Sequence, residues 1–499
     1  MFAFDQTRPV LVGNGAEMQD RITRRPGSYI QAEAAIRAGQ RPCVGVVRDN
    51  AFMLDKLLEY ACGMVGRRAP SIPALNPSPV ADLPERFRFH LDGLKNIAVP
   101  MGIQLEMLDG ELEDIFATAA SLADKMPETD ILRLLGIVCR VPLVGPHWFV
   151  FEVENACNED CIYCNIHAKG RRPGAAFTGQ RMDFDVFARQ IDDLARMGTD
   201  GITVLANGEP TVHPNFLEMI QYAKGKGLRV NFFTNGLLMK EKLAKGVVDA
   251  GCDEMFCTIS GATEQSFLAV HPKQKAEDFE QLMRNLKFLT DYKKQQGSDV
   301  PRCLAVHVIC RPNFHELPLM AQQAVDLGFD VFRPQLVRID PHNFPIELRE
   351  DHLEQIRADI PKAKAICEAG GIEMWAPFEA MVASAGNNAS NWTPDEFLEE
   401  GCPIGWSLGL AKVTGDLSLC CVVKPVGNLR DGSIGELWFG EDYQRYRLGA
   451  LYLNENMDMP LKDGTPLYTY RCLRCDNHDI NRQWMGKLRD SGLIRYYRG

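Results

Sequence analysis

The residues best suited to chemistry are three cysteines spaced C-x3-C-x2-C in Cys157-Asn158-Glu159-Asp160-Cys161-Ile162-Tyr163-Cys164. Three thiolates on one short loop can hold three irons of a 4Fe–4S cube, a group that ordinarily takes four cysteine ligands. The fourth iron then stays open to a ligand that is not protein, and an open iron is a place for reaction rather than electron storage alone. A zinc knuckle is the competing reading, with His167, three residues after Cys164, completing the ligand set. The loop follows an apolar run, Trp148-Phe149-Val150-Phe151-Glu152-Val153, that reads as a buried strand.

A second cysteine group lies near the C-terminus. Cys402, then Gly415-x4-Cys420, then Cys472-x2-Cys475 offers four thiolates on short loops, with Cys421 as an alternative to Cys420. Four protein ligands close a metal centre, so this group suits electron transfer or a structural zinc rather than substrate ligation. Of the 16 cysteines, Cys252, Cys257, Cys303, Cys310 and Cys367 stand singly in apolar stretches and read as small buried hydrophobes.

The elements that must position these groups change character along the chain. Residues 1–140 are broken by prolines, five of them from Pro70 to Pro84, around helices expected near 29–38, 51–64, 103–124 and 128–138. His90-Leu91-Asp92-Gly93 lacks the βα surroundings a cobalamin site would need, and no winged-helix pattern is legible there. From 147 onward strands are expected at 147–153, 201–205, 228–233, 254–259, 302–309 and 330–337. Helices alternate with them at 183–197, 215–226, 240–250, 277–295, 314–326 and 350–368. Six βα units with right-handed crossovers predict an α/β fold, a partial (βα)6 TIM-like barrel with reactive groups at the C-terminal strand ends. The cysteine loop sits at one such end. The division expected is 1–140, mostly helical and a candidate substrate-recognition region, 141–385, the barrel, and 386–499, a small cysteine-rich domain. The basic, aromatic tail from Arg489 to Arg498 reads as a solvated terminal helix.

Composition narrows the class. A chain of 499 residues with 45% hydrophobic and 24% charged residues is a soluble globular protein of two or three domains. A net charge of −11 without a long basic run argues against a nucleic-acid partner. No 18-residue apolar segment and no signal peptide is present, so a cytoplasmic location is expected, without membrane contact. Clustered cysteines there read as metal ligands rather than disulfides.

With C-x3-C-x2-C directly after the first of six βα units, residues 145–345 resemble the radical S-adenosylmethionine (SAM) superfamily. Tyr163 takes the aromatic position before the third cysteine, where the resemblance implies packing near the adenine. Asn207-Gly208-Glu209-Pro210 ends the second strand and is similar to the Gly-Gly-Glu-Pro element whose backbone holds the methionine amino group. Asn stands for the first glycine, while Gly208 still permits close backbone approach. Ser260 closes the fourth strand, where the family often sets a serine against the ribose and carboxylate; a turn or helix-capping serine is the alternative. Asn235 ends the third strand and is a pocket residue by the same resemblance, or a plain turn residue.

The resemblance further implies SAM chelated on the open iron and reductive cleavage of its sulfonium bond. The resulting 5′-deoxyadenosyl radical would take hydrogen from an unactivated C–H bond. The second cysteine group resembles the SPASM/twitch extension. The cysteines of its two-cluster form are missing, which implies one auxiliary 4Fe–4S cluster on Cys402, Cys420, Cys472 and Cys475. A peptide to be matured or a small molecule to be oxidised or rearranged is the expected substrate, with flavodoxin or ferredoxin as reductant. A non-catalytic iron–sulfur or zinc scaffold is the reading from another class. His307, Cys310, Arg311, Arg333, Asp340, His342 and Glu379, near strand ends, are unassigned candidates for an acid or hydrogen donor.

Overall fold

A computed structural model describes residues 109–138, 142–171, 173–339, 343–384, 400–420, 425–451 and most of 453–497. The helices read at 29–38 and 51–64, the proline-rich stretch, His90–Gly93, Asp340, His342 and Cys421 lie outside the described residues.

Two helices, α1 (Asp109–Ala120) and α2 (Glu128–Val138), lead into the alternating region. It runs β1 (Trp148–Glu152), α3 (Phe184–Arg196), β2 (Gly201–Leu205), α4 (Phe216–Gly225), β3 (Arg229–Thr234), α5 (Glu241–Asp249) and β4 (Glu254–Thr258). It continues with α6 (Glu264–Val270), α7 (Ala276–Gln295), β5 (Arg302–Ile309), α8 (Leu317–Leu327), β6 (Val331–Leu336) and α9 (Glu350–Gly370). All six expected strands form, and each pairs in parallel with its neighbour in chain order. Local chemistry sets the boundaries. Asp183 caps α3 by accepting from the Asp185 and Val186 amides, and Gly328 ends α8 at φ +74°, where a side chain would be strained.

The pairing register sorts the strand residues onto two faces, because residues opposite each other in a parallel ladder share a side. Phe149, Phe151, Ile202, Val204, Val230, Phe232, Met255 and Cys257 are fully buried under the helices. The other face carries a row of Val150, Thr203, Asn231, Glu254 and Arg302, opposite one another in register. Phe233, Phe256 and Leu304 form the next row. Side chains of both rows line one cavity. The apolar face thus holds the helices on, and the mixed face is left for ligands.

Among the described residues the sheet has ten strands rather than six, in the order β10-β9-β8-β1-β2-β3-β4-β5-β6-β7. Short β7 (Glu373–Met374) extends it beyond β6 and leads to α10 (Pro377–Ser384). On the other side β8 (Leu408–Ala411) runs parallel to β1, with Leu408 opposite Trp148 and Ala411 opposite Phe151. Antiparallel β9 (Asp416–Ser418) and β10 (Gly427–Asn428) follow, then α11 (Ile434–Trp438), α12 (Glu441–Leu451) and α13 (His478–Asp490). The cysteine-rich segment is therefore bonded into the barrel sheet along the edge of β1. Its α11 is also held by α3: the Ile434 amide donates to Gln190 Oε1 at 2.9 Å and the Gly435 amide to Asp193 Oδ2 at 3.3 Å.

The tail departs from expectation. Helix α13 ends at Asp490, and a short helical turn, Leu493–Tyr496, buries Leu493 instead of forming a solvated helix. Trp484, Met485, Leu488 and Leu493 join residues of α2 in a second core. The arginines and lysines of this stretch masked an apolar face that only the partner helix makes useful. Lys487 Nζ meets Asp130 at 2.6 Å, and the Tyr497 hydroxyl donates to the Glu400 carbonyl at 2.5 Å.

Arg133 fastens α2 to the barrel floor. It is buried, donates to the carbonyls of Gly145, Pro146 and Gly198, and pairs with Asp130 at 3.2 Å and Asp200 at 2.8 Å. Removing one partner of such a group strands the other buried charges, so Arg133→Ala should cost about 3–5 kcal/mol in denaturant unfolding. Burial alone would raise the Asp200 carboxyl, but His147 and Arg133 beside it hold it below its usual range. A depressed folded pKa gives stability that is complete above the unfolded value of ~3.9 and is lost as pH falls through the folded one. Asp200→Asn should therefore flatten the acid limb of a stability–pH curve measured between about pH 3 and pH 7.

Candidate active site

The cysteine loop is built outward from the end of β1. Glu154, fully buried, accepts from the Asn155 and Ala156 amides at 3.1 and 3.0 Å and turns the chain out of the strand. The loop then docks on the segment after α6. The Ile162 amide donates to the Val270 carbonyl at 3.0 Å, and Asp160 Oδ1 accepts from the Lys273 amide at 2.9 Å. Cys164 closes a turn by donating its amide to the Cys161 carbonyl at 2.9 Å.

The thiols of Cys157, Cys161 and Cys164 are near enough to perturb one another. Burial pushes Cys157 up to about 12, and Glu209, Glu159 and Cys164 add to the effect. Burial also sets Cys161 well above the ordinary thiol value, reinforced by Glu159 and the other two thiols. A cluster must displace these protons as it binds. Cys164 Sγ already accepts two backbone hydrogen bonds, from the Ile166 and His167 amides at 3.4 and 3.2 Å. Such amide contacts to sulfur are a recognised lever on cluster potential.

Spacing distinguishes cluster from zinc. Ligands at ~2.3 Å from a single zinc crowd within roughly 4 Å of each other. No three cysteine sulfurs among the described residues lie within 4.8 Å of one another; the compact set at this loop is Glu159, Cys161 and His271. His167 does not complete a tight tetrahedron with the three cysteines. The donor set fits a three-cysteine 4Fe–4S cluster.

Asn207, Gly208, Glu209 and Pro210 leave β2 beside this loop. A Cβ on Gly208 would sit 1.9 Å from the Ala156 carbonyl oxygen, so only glycine lets the two backbones approach. The Glu209 amide donates to that same Ala156 carbonyl at 2.8 Å. Glu209 is itself buried, with its carboxyl raised by burial, and accepts from the Thr211 amide and hydroxyl, the Thr234 hydroxyl and the Asn235 amide. It ties the ends of β2 and β3 together. Asn235 carries the tie to the cysteine loop, its side-chain amide donating to Asn158 Oδ1 at 2.8 Å. Asn207, where the family resemblance left a substitution, donates to Glu152 Oε2 at 2.7 Å. Asn158 and Glu152 carried no sequence signal; both act through partners distant in the chain.

Ser260 adopts φ +54°, a left-handed conformation that non-glycine residues rarely take. It is fully buried: its hydroxyl accepts from the Val308 amide at 3.1 Å and meets the Tyr163 hydroxyl at 3.2 Å, while its carbonyl accepts from Asn313. The helix cap nearby is Thr263, not Ser260. Ser260 thus anchors Tyr163, and Tyr163 faces the cavity.

That cavity encloses about 2080 Å³ and runs over the concave face of the sheet. Tyr163 and Asn165 stand at one part of its wall and Cys475 at another. Of the described donor candidates only Arg333 lines it, its guanidinium lying 5.2 Å from the Phe256 ring and 4.8 Å from the Trp375 ring. His307 is fully buried beside Phe332, with its pKa lowered to about 3 by burial. Cys310 is buried, Arg311 bonds the Pro345 carbonyl, and Glu379 pairs with Lys364.

In the second group Cys402 is buried close to Cys420 and Cys472; burial pushes its thiol up to about 12, and both neighbours add to this. Cys475 is also buried. The four sulfurs come from the segment before β8, the end of β9, and the approach to α13, so folding gathers residues more than 70 positions apart.

Residues 152–301 match the profile of the Radical SAM superfamily, and residues 402–476 that of an iron–sulfur cluster-binding domain, SPASM. The chain carries a radical SAM domain followed by a SPASM domain. A radical SAM domain binds a 4Fe–4S cluster and SAM, and a SPASM domain adds auxiliary iron–sulfur binding. The chain is 25% identical over 185 residues to a tungsten-containing aldehyde ferredoxin oxidoreductase cofactor-modifying protein of Pyrococcus furiosus, covering 37% of this chain and 49% of that one. It is 32% identical over 123 residues to the mycofactocin maturase MftC of Mycobacterium ulcerans, covering 25% and 31%. It is 25% identical over 182 residues to the PqqA peptide cyclase of Bradyrhizobium diazoefficiens, covering 36% and 44%. The chain thus spans less than half the length of each of these relatives. No helix among the described residues is long and apolar enough to cross a membrane.

Gly208→Ala should force the cysteine loop and the β2 end apart. The expected result is at least a tenfold weaker SAM affinity by calorimetry on reconstituted protein, with the iron of the auxiliary group retained.

Proposed function

We propose that the protein is a radical SAM enzyme that abstracts hydrogen from an unactivated C–H bond of a peptide, with a closed auxiliary cluster exchanging electrons with the substrate. The observation that carries this reading is the single cavity whose wall includes both Tyr163, beside the first cysteine group, and Cys475 of the second. A substrate seated there lies between the two groups. The cavity of about 2080 Å³ exceeds the ~300–1,000 Å³ of ordinary small-molecule sites, which favours a peptide segment. The PqqA peptide cyclase among the relatives supports the same choice.

In this reading Cys157, Cys161 and Cys164 hold the first cluster, and Cys402, Cys420, Cys472 and Cys475 hold the auxiliary one. When bound, the first cluster and SAM supply a carbon radical by one-electron cleavage of the sulfonium bond, the reducing electron coming from a flavodoxin or ferredoxin. The chain's part is placement and exclusion of water. The backbone at Gly208–Pro210 would hold the methionine amino group, a role that Glu209 supports by fixing the ends of β2 and β3. Asn235 braces Asn158 in the cysteine loop. Ser260 fixes Tyr163 through their hydroxyls, and Tyr163 would pack near the adenine. Phe233, Phe256 and Leu304 keep the reacting side of the cavity apolar, which protects a carbon radical from solvent.

Anaerobic reconstitution tests this directly. Wild-type protein should bind two 4Fe–4S clusters and release 5′-deoxyadenosine from SAM under reduction. Cys161→Ala should abolish that release, whereas Cys472→Ala should keep it but lose complete substrate turnover. Normal turnover by Cys472→Ala would remove the auxiliary group from the reaction. A sample containing only zinc would point to the scaffold reading.

A further inference from the structure

Beyond the four cysteines, one side chain is aimed at a sulfur of the second group. Asn481 on α13 donates from Nδ2 to Cys402 Sγ at 3.1 Å, and both residues are buried. Asn481 follows the SPASM match, which ends at residue 476, so the cysteine pattern does not include it. We propose that Asn481 sets the reduction potential of the auxiliary cluster by a hydrogen bond to the Cys402 sulfur. The inference rests on Cys402 being a ligand of that cluster.

The physical basis is charge. Reduction by one electron adds negative charge to the cluster and its thiolates, and no bond at Asn481 forms or breaks in the process. An N–H dipole aimed at a ligating sulfur stabilises the more negative state and raises the potential. The contact is effective because it is dry: Asn481 is 2% exposed and Cys402 is 9% exposed. A ligating thiolate carries no proton to donate, so the amide of Asn481 must present its nitrogen there. The two cysteine groups differ in this respect. Cys164 takes its hydrogen bonds from the backbone of Ile166 and His167, which substitution cannot readily change. Cys402 also has a backbone hydrogen bond, from Ile404, but adds one from the Asn481 side chain, which a single substitution can remove.

The position of α13 strengthens the assignment. The helix is held by Lys487 to Asp130 and by Trp484 and Leu488 in the second core, so Asn481 is presented on a fixed element. Other residues of the same helix, Ile480, Gln483 and Trp484, line the cavity. The helix that presents Asn481 to the cluster therefore also forms part of the wall the substrate would contact. Asn481 acts through Cys402 and is a positioning residue.

Full-length protein reconstituted with both clusters would be titrated with dithionite and followed by electron paramagnetic resonance. The auxiliary signal is the one that SAM addition leaves unchanged. Asn481→Leu should leave about tenfold less reduced auxiliary cluster at a fixed potential, a shift of ~59 mV to more negative values. Asn481→Ser, which can still donate, should fall between the two, and the SAM-sensitive signal should not move. An unchanged auxiliary midpoint in Asn481→Leu with full iron content overturns the proposal. Loss of the auxiliary cluster from both variants also overturns it, because Asn481 would then be needed for assembly rather than for potential. If wild-type protein shows no SAM-insensitive signal at all, the ligand assignment of Cys402 fails instead, and iron analysis of Cys402→Ala identifies that case.

Discussion

Backbone pairing along both edges of β1 is the constraint on which the site depends. One edge bonds β2 and the other bonds β8, so β1 is a central strand although it begins the βα series. The cysteine loop leaves the end of this strand and inherits its rigidity. Pairing with β2 brings Gly208 against Ala156, and pairing with β8 brings the C-terminal cysteine segment to the same sheet. An edge strand in that place would leave the loop anchored on one side only. Tyr163 of the first cysteine loop and Cys475 of the second group, far apart in sequence, can line one cavity because a single strand lies between the elements that carry them.

Buried polar groups then convert this frame into a defined geometry. Glu209 accepts four hydrogen bonds and spans two strand ends, and Ser260 holds an unfavourable backbone conformation with bonds from three sides. Such groups are costly to bury unless every partner is present. Their full satisfaction means that the loop ends cannot shift without stranding a carboxylate or a hydroxyl. Local strain at Ser260 persists because its surroundings over-determine it, a pattern typical of sites that must hold a fixed shape.

The sequence was most informative where periodicity and spacing act locally. Alternating strands and helices gave the six strands and their five parallel pairs, and C-x3-C-x2-C with Gly208-Glu209-Pro210 pointed to the site. Contacts between distant segments left no trace. Asn158 meets Asn235 across 77 positions and Glu152 meets Asn207 across 55, and neither partner is marked by its neighbours in the chain. The four added strands are only two to four residues long, too short for a periodic signal. In the tail, charged residues at Arg489 and Arg495 concealed an apolar face, because burial there is defined by α2 rather than by the tail itself. A reading that treats Ser260 as a direct ligand contact also meets a physical limit: its hydroxyl is already engaged inside the protein.

The parallel seat of β8 beside β1 has a consequence for the order in which the protein is made. Leu408 and Trp148 are opposite each other in the sheet but 260 residues apart in the chain. During synthesis the barrel strands can pair one after another as they emerge, whereas the outer edge of β1 waits for a segment made 260 residues later. Until then that edge is an open template next to reactive thiols, a state that favours association with other chains. Closing the frame around the cysteine loop thereby depends on β8, a strand made 260 residues after Trp148.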